Sequence, residues 1–65
     1  QQDIRAFYGD PRANAALLKK YGVDYILVGP DERRLAQADD ALFSQMYEPV
    51  YTDENREYTI YKVPA

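Results

Sequence analysis

Apolar residues recur at helical spacing near the start of the chain. Ile4, Phe7 and Tyr8 lie three and four residues apart, directly after an acidic residue. This spacing places the three side chains on one face of a helix. We therefore predict a short amphipathic helix of one or two turns.

A second helix is predicted over residues 11–21. Asp10 is suited to the N-cap, and Pro11 is tolerated at the first helical position because that position needs no amide hydrogen. Apolar side chains within the segment follow the 3.6-residue period. Gly22 is typical of the left-handed residue that ends a helix, with Val23 making the apolar closing contact.

The apolar run Tyr25–Val28 predicts a strand that ends at a Gly-Pro turn. Because the run does not alternate with polar residues, we expect both of its faces to be covered. Pro30 then suits the first position of a further helix. Asp39 suits the N-cap of a short helix that buries Leu42 and Phe43.

Residues 46–52 and 57–63 are two strand candidates, and the polar segment 53–56 between them suits a hairpin loop. Pro49 has no amide hydrogen to donate, so it must lie at an edge or a bulge. In the last strand, apolar residues occur at both odd and even positions, and therefore on both faces. We therefore expect it at the centre of the sheet.

Together these elements predict one small α/β domain over residues 1–65. A right-handed crossover makes the first two strands parallel, and the final strand fits between them, antiparallel to both. The predicted fold is a three-stranded mixed sheet of order 1-3-2, with the N-terminal and crossover helices packed on one face. The other face carries tyrosines, so we expect a further protein surface or a second copy of the chain beside it.

Composition restricts the chemistry of the chain. It has no His, Cys or Trp, and 8 basic against 11 acidic residues give a net charge of −3. Zinc sites, Ser–His nucleophiles and disulfides are therefore excluded, and no cofactor is predicted. The acidic balance argues against a nucleic acid partner. No apolar run approaches the roughly 20 residues that span a bilayer, so we predict no direct membrane insertion by this segment.

Two acidic groupings, Asp39-Asp40 and Asp53 with Glu54 and Glu57, raise the question of a metal or acid–base site. Neither has the spacing of a calcium loop. We interpret both as solvated surface and predict no metal ligand and no catalytic residue.

Residues 17–30, with the sequence LLKKYGVDYILVGP, the following Glu32-Arg33 and the closing segment 58–63 carry a family resemblance. The pattern resembles the C-terminal tail of multi-pass membrane proteins of the YYY membrane-domain family. That family is related to protein mannosyltransferase-like glycosyltransferases, which use lipid-linked sugars. The chain departs from the family pattern at Asp31, where an aliphatic residue is expected, and at Leu35-Ala36, where aromatic character is expected.

The resemblance implies a noncatalytic, extracytoplasmic C-terminal domain attached to the transmembrane body of a longer protein. The family's presumed catalytic acids lie in membrane-proximal loops outside this chain, so the resemblance transfers no catalytic residue. Any glycosyltransferase activity then belongs to the parent protein. An opening at Gln1 rather than at Met also leads us to expect a piece of a longer chain.

The turn formed by Gly29, Pro30, Glu32 and Arg33 is the one matching motif with a possible binding role. A strand end that leads into a helix N-terminus offers free amides to a phosphate, and Arg33 is close in sequence. Asp31 and Glu32 would repel that anion and would instead satisfy the helix dipole. A structural turn is therefore favoured.

Six of the seven tyrosines fall into two predicted groups. Core packing is expected for Tyr21, Tyr25 and Tyr58. Contact with a partner surface or a glycan is considered for Tyr47, Tyr51 and Tyr61.

Two functions are alternatives to that of a domain docked on its parent protein. One is a protein-interaction or homo-oligomerisation module that uses its sheet edge or its tyrosine-rich face, which an exposed apolar patch would favour. The other is a small regulatory domain that binds a ligand at the turn from Gly29 to Arg34, which a pocket at that turn would favour.

Overall fold

The computed structural model describes residues 2–65, so the predicted domain start at Gln1 lies outside the described residues. The elements in chain order are α1 (Gln2–Gly9), α2 (Ala16–Lys20), β1 (Tyr25–Val28), α3 (Pro30–Leu35), α4 (Asp40–Met46), β2 (Glu48–Thr52) and β3 (Thr59–Lys62). The predicted α/β class is confirmed, as are the first short helix and the helix starts at Pro30 and after Asp39.

The strands form one sheet in the predicted order, β1-β3-β2. The central strand β3 pairs antiparallel with both neighbours, so β1 and β2 run parallel without touching. Leu27 lies opposite Ile60 and Ile26 lies opposite Tyr61. Because successive side chains of a strand point to opposite faces, this register assigns every strand residue to one of two faces.

β2 is an edge strand with an irregularity at Pro49. Its pairing with β3 shifts register between Pro49 and Tyr51, so Val50 is an additional residue at a bulge. The expectation that proline lies at an edge or a bulge is confirmed. Both hairpin strands are shorter than predicted, because α4 continues to Met46 and the loop extends to Tyr58.

The core lies between the helices and one face of the sheet. Its buried hydrophobic side chains are Phe7, Ile26, Val28, Phe43 and Tyr61. Phe43 is at the centre, with ring centroids at 5.7 to 6.2 Å from those of Phe7, Tyr8, Tyr47 and Tyr61. These spacings are typical of aromatic pairs in protein cores. Aromatic packing thus joins α1 and α4 to the central strand.

The predicted helix over residues 11–21 is wrong in its first half, where residues 11–15 form turns. The Asp10 carboxylate does accept a hydrogen bond from the Ala13 amide at 3.3 Å, as an N-cap does. The Asn14 side chain, however, donates to the carbonyl oxygens of Ala6 and Asp10, each at 3.0 Å. Such side-chain bonds compete with the helical ladder. Regular helix therefore begins only with α2.

The predicted helix end at Gly22 is confirmed. Gly22 has φ +63°, the left-handed conformation that glycine adopts at little cost. The Val23 amide donates to the Leu18 carbonyl at 2.8 Å, and the Gly22 amide donates to the Lys19 carbonyl at 3.2 Å. This pair of bonds is the Schellman motif. Leu18 and Val23 both pack against the core, which fixes the path of the chain into β1.

The expectation that both faces of β1 are covered is wrong. Ile26 and Val28 are buried, whereas Tyr25 and Leu27 are exposed on the opposite face. A continuous apolar run shows that neither face of the strand is polar. Burial of the second face also requires another element to pack against it. All four helices lie before β2, and their buried residues, Phe7 and Phe43, pack on one side only.

Candidate functional site

The face of the sheet opposite the core, the open face, consists of alternate residues of all three strands. Its members by register are Tyr25, Leu27, Glu48, Tyr51, Ile60 and Lys62. Tyr25 is 57% exposed, Leu27 43% and Tyr51 54%. An exposed apolar surface of this kind on a small domain is typical of an interaction site.

The charges on the open face, Glu48 and Lys62, lie together at one end of the strands. The Lys62 ammonium lies over the Tyr25 ring at 5.5 Å from its centroid, a cation–π contact. Glu48 lies opposite Lys62 in the register of β2 and β3. The centre of the face, formed by Leu27, Tyr51 and Ile60, carries no charge. A partner can therefore bury this centre without removing an isolated charge from water.

The two edges of the sheet are less suited to strand addition. The hydroxyl of Tyr8 donates to the Leu27 carbonyl of the edge strand β1 at 2.6 Å. Burial, with a smaller contribution from the charge of Glu32, raises the pKa of Tyr8 to about 12, so this hydroxyl keeps its proton. On the other edge, Pro49 and the bulge interrupt β2. Both features favour the open face over the edges as the contact surface.

An apolar cleft of about 180 Å³ lies between α1, α2 and β1 on the helix side of the sheet, and it meets the open face at Tyr25. Tyr25 belongs to both surfaces, and Ile4 and Leu17 are among the other residues that line the cleft. At its rim the Tyr21 hydroxyl donates to the Asp3 carboxylate at 2.6 Å, which lowers the pKa of Asp3. This bond ties α1 to the end of α2.

The predicted turn at Gly29, Pro30, Glu32 and Arg33 is engaged within the protein. The Gly29 amide, which an anion would need, donates to the Glu32 carboxylate at 2.8 Å. A Cβ atom at position 29 would lie 2.6 Å from the Tyr58 ring, so glycine is required there by close packing. These contacts support the structural interpretation of the turn.

Arg33 points away from the turn amides and cross-links three parts of the chain. Its Nε and Nη2 atoms donate to the Asp40 carboxylate at 2.7 and 3.3 Å, and its Nη1 atom donates to the Glu57 carbonyl at 2.6 Å. The bond with Asp40 is the main cause of a raised pKa of Arg33. Arg33 therefore joins α3, the start of α4 and the approach to β3.

The tyrosines are distributed differently from the prediction. Tyr21, Tyr25 and Tyr58, expected in the core, are each about half exposed. The Tyr61 ring is buried, so it offers almost no area to a protein or glycan surface, whereas Tyr51 is on the open face. Tyr47 packs partly against the core, and burial raises its pKa. The pairing register decides which strand tyrosines are exposed and which are buried, and the local sequence does not contain that register.

The acidic groupings have structural roles. Asp39 caps α4 by accepting from the amides of Ala41 and Leu42, and Asp53 accepts from the Tyr58 amide at 2.7 Å in the hairpin loop. Within residues 2–65, no cluster of three or more His, Cys, Asp or Glu side chains is arranged to hold a metal ion.

A polar cleft of about 500 Å³ opens on the core side of the sheet beside β2. Residues from α3, α4 and both hairpin strands line it, among them Arg33, Ser44, Arg56 and Tyr61. Sequence reasoning selected Arg33 and Tyr61 individually but did not place them together. Four separate elements meet here only because the strand order is 1-3-2.

Comparison of the chain with protein-family models, curated proteins and solved structures gave no match. In the part of the chain that the structure describes, no helix has both the length and the apolar character needed to cross a bilayer.

Proposed function

We propose that this chain is a noncatalytic docking domain whose open face packs against another protein surface. The observation that carries the proposal is the apolar centre of that face, formed by Leu27, Tyr51 and Ile60 and flanked by Tyr25. Complete burial of a large apolar side chain is worth about 1.5–3 kcal/mol. Side chains that are half exposed therefore leave about half of this free energy to be gained on docking.

The partner that we propose is the transmembrane body of the same parent protein, on the extracytoplasmic side of the membrane. The support is the resemblance to the tail of YYY membrane-domain proteins, in which such a domain follows a glycosyltransferase-like body. The small core gives independent support. A chain of 65 residues buries only about 60% of its unfolded surface, so additional contacts outside the domain would stabilise it.

The apolar cleft between α1, α2 and β1 adds to the proposed interface. Its volume of about 180 Å³ is sufficient for one large apolar side chain. Engineered apolar cavities of about 150 Å³ hold a benzene molecule, which is close in size to a phenylalanine ring. Because Tyr25 borders both surfaces, a partner segment that crosses the open face can place an anchoring side chain in the cleft.

The first test is the hydropathy of the complete reading frame, scanned with a window of about 19 residues. Several membrane-spanning segments before this domain are the expected result. A short reading frame with none would contradict the proposed partner and the proposed location.

The second test measures docking in the full-length protein. We expect hydrogen exchange of β1 and β3 amides to be slower there than in the isolated chain. The double variant Leu27→Thr with Tyr51→Thr should abolish the difference. Leu35→Gln, which changes an exposed side chain of α3 outside the open face, is the matched control.

A concentration series separates docking from self-association. The isolated chain should sediment as a monomer at all concentrations. A dimer that the Leu27→Thr, Tyr51→Thr variant dissociates would instead assign the open face to a second copy of the chain.

A further inference from the structure

The polar cleft beside β2 lies on the side of the sheet opposite the open face. Its volume of about 500 Å³ is within the range of small-molecule sites. Thr52 and Thr59 face each other across the hairpin with their hydroxyl oxygens 3.5 Å apart. The hydroxyls of Ser44 and Tyr61 form a second pair at 3.2 Å. Hydroxyl groups rotate, so both pairs can donate to a ligand as well as to each other.

The charges that line the cleft do not cancel. Asp40 is neutralised by Arg33, which binds both of its carboxylate oxygens. The guanidinium of Arg56 makes no hydrogen bond or ion pair with any acidic group in residues 2–65. This holds although Glu54 and Glu57 are close in sequence. One unpaired positive charge is therefore left among four hydroxyl groups.

The backbone at Arg56 is unusual for such a residue. Arg56 has φ +57°, and its amide closes the hairpin turn by donating to the Asp53 carbonyl at 3.0 Å. Left-handed positions of this kind in hairpin loops favour glycine. For the conformation of this turn alone, glycine would be more favourable than arginine at position 56. Unfavourable backbone conformations that persist in a folded protein are concentrated at functional sites.

We propose that this cleft binds a phosphate group, with Arg56 as its charged ligand and the hydroxyls of Thr52, Thr59, Ser44 and Tyr61 as neutral donors. A guanidinium can bind two oxygens of a phosphate side by side. The remaining oxygens of a tetrahedral group are directed toward different donors, which suits hydroxyl pairs on two walls. A carboxylate has only two oxygens and would leave one hydroxyl pair unused.

Phosphate binding is independent of the docking proposal. Thr52, Thr59 and Tyr61 are on the face opposite to Leu27 and Ile60. The site therefore stays accessible when the open face is covered. Substitutions on the open face should leave phosphate affinity unchanged within about twofold.

The test is a titration of the chain with inorganic phosphate and with methyl phosphate, followed by amide NMR shifts at constant ionic strength. We expect saturable shifts at Thr52, Arg56, Thr59 and Tyr61 with both probes. Acetate should bind at least fivefold more weakly. Shifts that do not saturate, or that chloride reproduces, would overturn the proposal.

The decisive variant is Arg56→Gly. Because glycine suits the left-handed backbone, this variant should melt at a higher temperature than the original chain while its phosphate affinity falls at least tenfold. Arg56→Lys should retain part of the affinity. Arg5→Gln, which removes one positive charge from an exposed position of α1, is the charge-matched control and should change affinity less than twofold. An equal loss in Arg5→Gln, or full affinity in Arg56→Gly, would contradict the assignment.

Discussion

The two faces of the sheet are formed by alternate residues of the same short strands, yet they have opposite environments. On the covered face Ile26, Val28 and Tyr61 are buried beneath α1 and α4. On the open face Tyr25 and Leu27 are about half exposed, although they are no less apolar. The difference shows that an apolar strand residue is favoured to be buried, but it is buried only where helices of the chain pack against its face of the sheet.

The comparison also predicts which substitutions reduce stability and which affect association. Residues of the covered face are held by packing within the chain, so their substitution should reduce stability. Residues of the open face have little packing to lose, so their substitution should affect association. Four predictions test this division, beginning with the largest expected effect.

Phe43→Ala on the covered face should be the most destabilising change. It removes the ring at the centre of the aromatic core and leaves a cavity, at a cost of about 3–5 kcal/mol. A domain of this length has a total stability of about 3–10 kcal/mol, so the variant should lose a large share of it. Circular dichroism during urea titration measures the change. A loss below about 1 kcal/mol would mean that packing of the helices against the sheet contributes little to stability.

Arg33→Gln should destabilise the domain by about 1 kcal/mol, because it removes the hydrogen bonds to Asp40 and to the Glu57 carbonyl from a partly buried side chain. The matched control is Arg34→Gln, whose ion pair with Asp31 is exposed and worth less than about 0.5 kcal/mol. Urea midpoints of the two variants give the comparison. Equal losses would show that Arg33 acts only as surface charge.

Tyr8→Phe should cost about 1 kcal/mol near pH 7, through loss of the hydrogen bond to the Leu27 carbonyl. It should also change the alkaline stability. The pKa of Tyr8 is raised from 10.0 to about 12 in the folded chain, so its contribution is present below pH 10 and is lost as the pH rises toward 12. Melting temperatures between pH 9 and pH 12 should therefore converge for the original chain and Tyr8→Phe, and a constant difference would contradict this linkage.

Leu27→Thr on the open face should have the smallest effect on stability, below about 0.5 kcal/mol, because threonine suits a half-exposed strand position. Its effect on docking to the parent body should be the larger one. Thermal melting of the isolated chain and hydrogen exchange in the full-length protein measure the two quantities. A stability loss similar to that of Phe43→Ala would eliminate the difference between the faces.

Local signals in the sequence were sufficient for much of the fold. The left-handed end at Gly22, the cap at Asp39 and the positions of Pro30 and Pro49 each depend on a few neighbouring residues, and these are confirmed. The helix over residues 11–21 was only half correct. Its failure has a long-range component, since Asn14 reaches back to the carbonyl of Ala6 in α1.

The site residues were harder to predict than the fold. Tyr51 and Tyr61 share one predicted group, but Tyr51 is exposed on the open face and Tyr61 is buried, because neighbours across the strands decide burial. The phosphate cleft had no sequence signal at all. Thr52 and Arg56 are four residues apart, but Ser44 and Arg33 reach the same cleft from other elements.

By itself the sequence determined most of the elements, the helix end at Gly22 and the cap at Asp39, the strand order and the chemical groups available, because these follow from spacing, backbone preference and composition. Only the tertiary structure decided which face of the sheet is covered and which side chains meet in the polar cleft. The physical reason is that burial and proximity depend on residues distant in the chain. A period of two assigns side chains to two faces, but it cannot say which face the helices will cover.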